Sequence, residues 1–324
     1  MLNENSFYNN KKNKVYFKNS FFFLKCKKRN NYIYLKILSF FFLPIFFLLY
    51  KKKLFIINNI KICLCTLGKE ENKYVREFVE YYKNYGIDKI FIYDNNNKNG
   101  ERFEDVLSDY INNKFVKIIN FRGIKTPQLE MLNNCYHKNY NKYDWFIMYD
   151  IDEFIFLKDF SNIKYFLIKK KFNECQIIHL NRAFYTDNNQ IYYKNISVIK
   201  RFPKAVYNVG TVKPIIKGHI YNIKITNQHT ATSKYQSCDG FGHKKFKKKD
   251  FKYHYIKHYF SKSTEEFIDK INKGTIFKLA NNISKLNKIL YYFLINKITL
   301  EKIKFVENGT GINLSILREK IKKI

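Results

Sequence analysis

The tetrapeptide Asp150-Ile151-Asp152-Glu153 follows the apolar run DWFIMY (144–149) and sets two carboxylates two residues apart. At an extended strand end, residues 150 and 152 project to one face while Ile151 points back into the protein. Side-by-side carboxylates repel unless a cation lies between them, and hard oxygen donors at this spacing suit Mg²⁺ or Mn²⁺ bridging to a diphosphate. Such an ion would take up charge developing on a departing nucleoside diphosphate. Spacing alone favours the plainer alternative, an acidic strand-end turn capping a nearby helix. A second polar group, Asp94-Asn95-Asn96, follows another apolar run, KIFIY (89–93).

Both groups fall at the ends of strands in an alternating pattern. Strands are expected at 60–66, 89–93, 115–121 and 144–149. Helices lie between them: 70–85, with a stripe of Tyr74, Val75, Phe78, Val79 and Tyr82 stopped by Gly86; a second marked by Phe103, Val106, Leu107, Tyr110 and Ile111; and a third opened by Thr126-Pro127. The alternation implies a mostly parallel sheet with helices on both faces, where ligands sit beyond the C-terminal strand ends. After Phe172 the pattern is mixed, with short strands expected at 175–180, 190–193 and 215–225 and helices at 263–273, 283–295 and 314–321.

The chain has 324 residues, 60 Lys+Arg against 27 Asp+Glu, and a formal net charge of +33. Sixty aromatic residues, against 15 Gly and Pro together, exclude a disordered, collagen-like or linker-rich chain. Only seven of the cations are arginine, the residue that base reading and phosphate gripping rely on most. No RNP1-like string, zinc-finger spacing or basic heptad helix occurs, so the charge reads as a solvated basic surface near anionic lipid or phosphate-rich substrate, with no specific nucleic acid expected. The six cysteines (Cys26, Cys63, Cys65, Cys135, Cys175, Cys238) match no secreted disulfide framework and read as small buried hydrophobes in a reducing compartment. Residues 1–58 form a basic N-terminal segment whose hydrophobic stretch, 33–50, has the length to span a bilayer but carries Lys36 and Pro44. Membrane association through this single segment is the expectation.

The ordered series EENKYVREFVEYYKNYGIDKIFIYDNN, PQLEMLNNCYHKNY, YDWFIMYDIDEFI, DNNQIYYKNISVIKRF, VKPII, NQHT and YIKHYFSKSTEEFIDKINKG resembles the family 92 glycosyltransferases and their bacterial family 2-like relatives. The resemblance implies an α/β GT-A fold: a Rossmann-like, mostly parallel sheet flanked by helices over 59–275, a mixed α+β acceptor-side half, and a C-terminal helical extension over 276–324. It also implies a metal-dependent hexosyltransferase using a UDP-sugar donor and a glycan or glycolipid acceptor, with inversion. Residue by residue, Asp150 and Asp152 match the metal- and diphosphate-binding Asp-x-Asp. Asp94, with Asn95, lies where the nucleotide is commonly contacted, and Gln128 matches a recurrent glutamine opening the helix before the metal strand. His258 is a further candidate metal or diphosphate contact. Near the first strand Gly68-Lys69-Glu70-Glu71 replaces the usual Arg-Asn-Glu-Glu. With the N-terminal stretch as anchor, the working side would be the cytoplasmic face in a bacterium, while a eukaryotic type II anchor would put residues 61–324 in the Golgi lumen.

An inverting transfer needs a general base beside the acceptor hydroxyl. Asp239 in SCDGFGH and Asp187 in YTDNNQ are the acids in suitable loops, although ordinary turn chemistry explains both. Glu153 is a weaker option, placed by alternation opposite the metal face. Two rivals remain open: a zinc site from Cys238, His243, His254 and His258, the last two at helical ligand spacing, and a basic nucleic-acid-binding module on a degenerate scaffold. The sequons at Asn195 and Asn308 matter only in a secretory lumen.

Overall fold

The computed structural model describes residues 55–324 apart from 125–126, 207–210, 228, 230–234, 245–250, 252, 274–281 and 323–324, and a few positions between 45 and 52. Phe55–Ile324 form one compact body. Its first half alternates as the sequence predicts: β1 (Ile62–Gly68), α1 (Asn72–Asn84), β2 (Lys89–Asp94), α2 (Glu104–Asn112), β3 (Val116–Asn120), α3 (Pro127–Asn139) and β4 (Trp145–Met148). Then come β5 (Glu153–Leu157), α4 (Ile163–Leu167), β6 (Ile177–Tyr185), α5 (Val198–Arg201), β7 (Ala205–Val206), β8 (Val212–Lys217), β9 (Ser237–Asp239) and β10 (His254–His258). Four helices follow, α6 (Thr264–Asn272), α7 (Asn282–Ile295), α8 (Leu300–Thr310) and α9 (Ser315–Lys322).

Among the described residues ten strands form one sheet in the order β3-β2-β1-β4-β8-β6-β10-β5, with β7 and β9 also paired to β6. β3, β2, β1 and β4 run parallel; β8 runs antiparallel between β4 and β6, and β10 returns parallel to β6. Successive residues of β1 enter opposite cores: Ile62 and Leu64 pack with the buried face of α1, Cys63 and Cys65 with Met131, Leu132 and Tyr136 of α3. That is why β1 reads as an unbroken apolar run; a strand covered on both faces has no polar side. α1 stops where Gly86 takes φ 92°, a left-handed conformation that a side chain would resist.

A third core joins Phe267, Ile268 and Ile271 of α6 to Ile289, Tyr292 and Phe293 of α7 and Ile303 and Val306 of α8. α6 begins with a capping box, Ser263 and Glu266 each accepting from the other's backbone N–H. Glu266 is also gripped by the Arg201 guanidinium at 2.7 and 2.8 Å and by the Tyr74 hydroxyl at 2.7 Å, tying α6 to α5 and α1.

Several expectations are corrected. Residues 190–193 form no strand, and the strand expected over 215–225 ends at Lys217. His254 and His258 lie on strand β10, not on a helix, so four residues separate them by about 13 Å of extended chain, too far to share one zinc ion. Cys238, the third member of that rival, is disulfide-bonded to Cys175; Cys65 pairs with Cys135, and Cys63 is a buried free thiol. Four of the six cysteines are therefore cross-links, not isolated hydrophobes. Among the described residues no helix is long and apolar enough to cross a membrane, so a single N-terminal membrane segment is not supported. Most of the stretch 33–50 lies outside the described residues.

Candidate active site

The acidic tetrapeptide is a turn, not a strand extension. β4 ends at Met148 and β5 begins at Glu153. The Glu153 N–H donates to the Asp150 carbonyl at 3.0 Å, while the Asp150 N–H donates to Glu153 Oε2 at 3.0 Å. Ile151 is buried, as expected, but strand alternation fails across the turn. Glu153 consequently joins Asp150 instead of opposing it: Lys213 Nζ lies 2.7 Å from Asp150 Oδ2 and 3.1 Å from Glu153 Oε2.

Each carboxylate of the turn has a cation against it. Asp150, a third exposed, carries Lys213 and receives a long 3.4 Å hydrogen bond from Gln128 Nε2. Glu153, fully buried, is held by Arg182 Nη1 at 2.8 Å as well as by Lys213. Asp152 lies 2.6 Å from Lys270 Nζ of α6 and 3.5 Å from His258 Nε2. Burial pushes the Asp152 carboxyl up, but Lys270, then His258 and Lys262, outweigh it and hold it well below the usual carboxylate range. Burial opposed by Lys213 and Arg182 leaves Glu153 at about 2. His258 is held below the usual imidazole range by burial, against the pull of Asp152.

Gly68, at the end of β1, bridges this turn to the second polar group. A Cβ there would lie 2.4 Å from the Phe103 ring and 2.9 Å from Ile151, so the absence of a side chain lets the turn close against β1. Gly68 pairs with Asp94 in the parallel register, and the Asn95 N–H donates to its carbonyl at 2.9 Å. Asp94 is buried under Arg122 at 2.7 Å, and Arg122 also donates to the carbonyls of Asn97 and Glu101, fixing the loop after β2. Asn96 Oδ1 accepts from the Glu70 N–H, which orders the loop after β1. Asp94, Asn95, Gln128, Asp150, Asp152 and His258 thus share the C-terminal edge of the parallel strands.

Asp239 does not join them, and Asp187, just beyond the same end of β6, is turned into a separate buried cluster. Asp239 pairs with His179, whereas His258 pairs with Phe184, five residues or about 16 Å further along β6. Its carboxylate closes a local turn, accepting from the Phe241 and His243 N–H groups and facing His243 Nδ1 at 3.0 Å. Asp187 is sealed among Lys302, Tyr292 and the Asn189 N–H.

The sequence reading missed the cations. Lys213, Lys270, Lys262 and Arg182 complete the site, but among so many lysines no pattern distinguishes those facing the turn. Lys262 is buried 3.4 Å over the Tyr74 ring and 3.5 Å from Glu71. These neighbours bear on the Mn²⁺ or Mg²⁺ that the resemblance implies. An ion seated on Asp150 and Asp152 would share them with two ammonium groups, and one of these, Lys213, is only 1 % exposed and cannot swing into water. As arranged, the residues do not fit a resident divalent ion.

Comparison with known proteins gives a consistent family. The model of glycosyltransferase family 92 matches residues 58–290. A family 92 protein of Ricinus communis is 25 % identical over 104 residues, covering 32 % of this chain and 18 % of the relative. One of Oryza sativa subsp. japonica is 27 % identical over 94 residues, covering 29 % and 16 %. The aligned part is therefore under a fifth of either relative. Among solved structures, S. aureus TarS 1-349 in complex with UDP-GlcNAc is similar with a TM-score of 0.34 and 10 % identity, covering 78 % of this chain and 80 % of that one; its complex with UDP gives 0.33 and 11 %, covering 78 % and 79 %. The match of the family model across the sheet, the acidic turn and α6 decides the assignment: the chain belongs to glycosyltransferase family 92.

Proposed function

We propose that this chain transfers a sugar from a UDP-sugar to a hydroxyl of a glycan or glycolipid, with inversion at the anomeric carbon. The observation that carries the reading is the convergence of the Asp94–Asn96 loop and the Asp150–Glu153 turn on one edge of the parallel strands, joined through Gly68, in a family 92 domain. One group can hold a nucleoside and the other can border its diphosphate, which is the division of labour that sugar transfer needs. In the reaction the acceptor oxygen bonds to the anomeric carbon. The bond from that carbon to the diphosphate oxygen breaks with its electron pair leaving on the diphosphate, and the hydroxyl proton passes to solvent. Gln128 and the carboxylate of Asp150, the only partly exposed acid of the turn, are the groups assigned to contact the donor in this reading.

The test is a panel of nucleotide-sugars incubated with the purified chain, scoring release of the nucleoside diphosphate with and without glycan acceptors. Release from a UDP-sugar, reduced on the order of 100-fold or more in Asp150→Ala, is the expected result. No release from any donor, combined with tight, steeply salt-dependent RNA binding, would favour the nucleic-acid module instead.

A further inference from the structure

Lys213 of β8 is sealed from water, yet its ammonium joins the most exposed acid of the turn to the most deeply buried one: Asp150 Oδ2 lies at 2.7 Å and Glu153 Oε2 at 3.1 Å. Behind Glu153 the contacts continue into the sheet. Arg182 of β6 holds Glu153 Oε1 at 2.8 Å, and Thr211 Oγ1, one residue before β8, accepts from Arg182 Nε and Nη2 at 2.9 and 2.6 Å. The Arg182 N–H also donates to the Thr211 carbonyl at 3.0 Å, so the pairing of β6 with β8 sets both cations against the turn.

Charge compensation accounts for only part of this. Glu153 and Arg182 are both buried and pair with each other at 2.8 Å. Asp150 has a third of its side chain exposed, so water could solvate it without a partner. What Lys213 adds is direction. An exposed carboxylate on a turn otherwise samples several rotamers. A charge-assisted bond from a packed ammonium holds Oδ2 in one place and leaves Oδ1 on the side of Gln128 Nε2, 3.4 Å away.

We propose that Lys213 is a positioning residue for sugar transfer: it does not touch the donor, and acts through Asp150 by fixing where that carboxylate meets it. The inference rests on the transferase reading, in which Asp150 contacts the donor. Glu153, Arg182 and Thr211 are the backing that keeps the ammonium in place. A group that touches the reacting molecule loses on the order of 100-fold in rate when displaced by about 1 Å. Its neighbours therefore matter as much as its own chemistry, and a side chain locked by packing and ion pairs is the device that supplies such precision.

Steady-state release of nucleoside diphosphate from a UDP-sugar by the full chain tests the role, in a double-variant cycle with Asp150→Ala. The expected result is a fall in kcat/KM on the order of 10- to 100-fold in Lys213→Met. In the Asp150→Ala background the same change should add less than about twofold, because the group it acts through is gone. A lysine that only supports the fold would give losses that multiply. Should Lys213→Met lack a cooperative melt, Lys213→Gln, which keeps a hydrogen-bond donor without the charge, carries the same cycle. Losses that multiply, or native turnover in the single variant, overturn the positioning role and leave the transferase standing. No release from any UDP-sugar by the native chain overturns both.

Discussion

The Lys302 ammonium of α8 lies 2.6 Å from Oδ2 of Asp187, beyond the end of β6, and both side chains are sealed from water. Tyr292 of α7 donates to the same oxygen at 2.6 Å, and the Asp187 N–H donates to Asn296 Oδ1 at 2.6 Å. The residue that looked like a candidate base is therefore the rivet fastening the last helices to the sheet. Removing one partner strands the other as a buried charge, so Lys302→Met should cost about 3–5 kcal/mol in urea unfolding. Asp187→Asn should likewise lower stability. A variant that melts like the native chain yet loses turnover would restore Asp187 to catalysis.

Acid should unfold the protein early. Glu153 and Glu266 are both held at about 2, from an ordinary 4.5, by cations that outweigh the cost of burial. A depressed folded pKa means the unfolded chain takes up protons first. The stability these two contribute is complete above the unfolded value and drains away as pH falls from about 4.5 towards 2. Urea midpoints measured down that range should fall steeply, and Glu153→Gln should flatten the slope. An unchanged slope would mean that Glu153 is not paired as described.

The two disulfides close segments of 70 and 63 residues, and loops of that length constrain the unfolded chain by about 4 kcal/mol each in the loop-entropy picture. Dithiothreitol should lower the melting temperature. Without reductant, the denatured chain should leave Cys65, Cys135, Cys175 and Cys238 protected from alkylation while Cys63 reacts. Six reactive thiols in freshly purified protein would contradict the pairing.

What the sequence could and could not disclose follows from the range of each interaction. The first half of the fold was legible because β1, β2 and β4 are covered on both faces and read as short unbroken apolar runs, while α1 is covered on one face and shows a helical stripe that Gly86 stops. β10 escaped because His254 and His258 sit at a spacing that equally suits a helix, and only pairing with β5 and β6 settles it. At the site, Asp150 and Asp152 stood out because they follow the apolar run 144–149 and sit inside the ordered series of segments that carries the family resemblance. Lys213 and Lys270 did not, since each meets its carboxylate across 63 and 118 residues of sequence. The cysteines were misread for the same reason: an apolar neighbourhood such as ICLC suits a buried cross-link as well as a buried thiol.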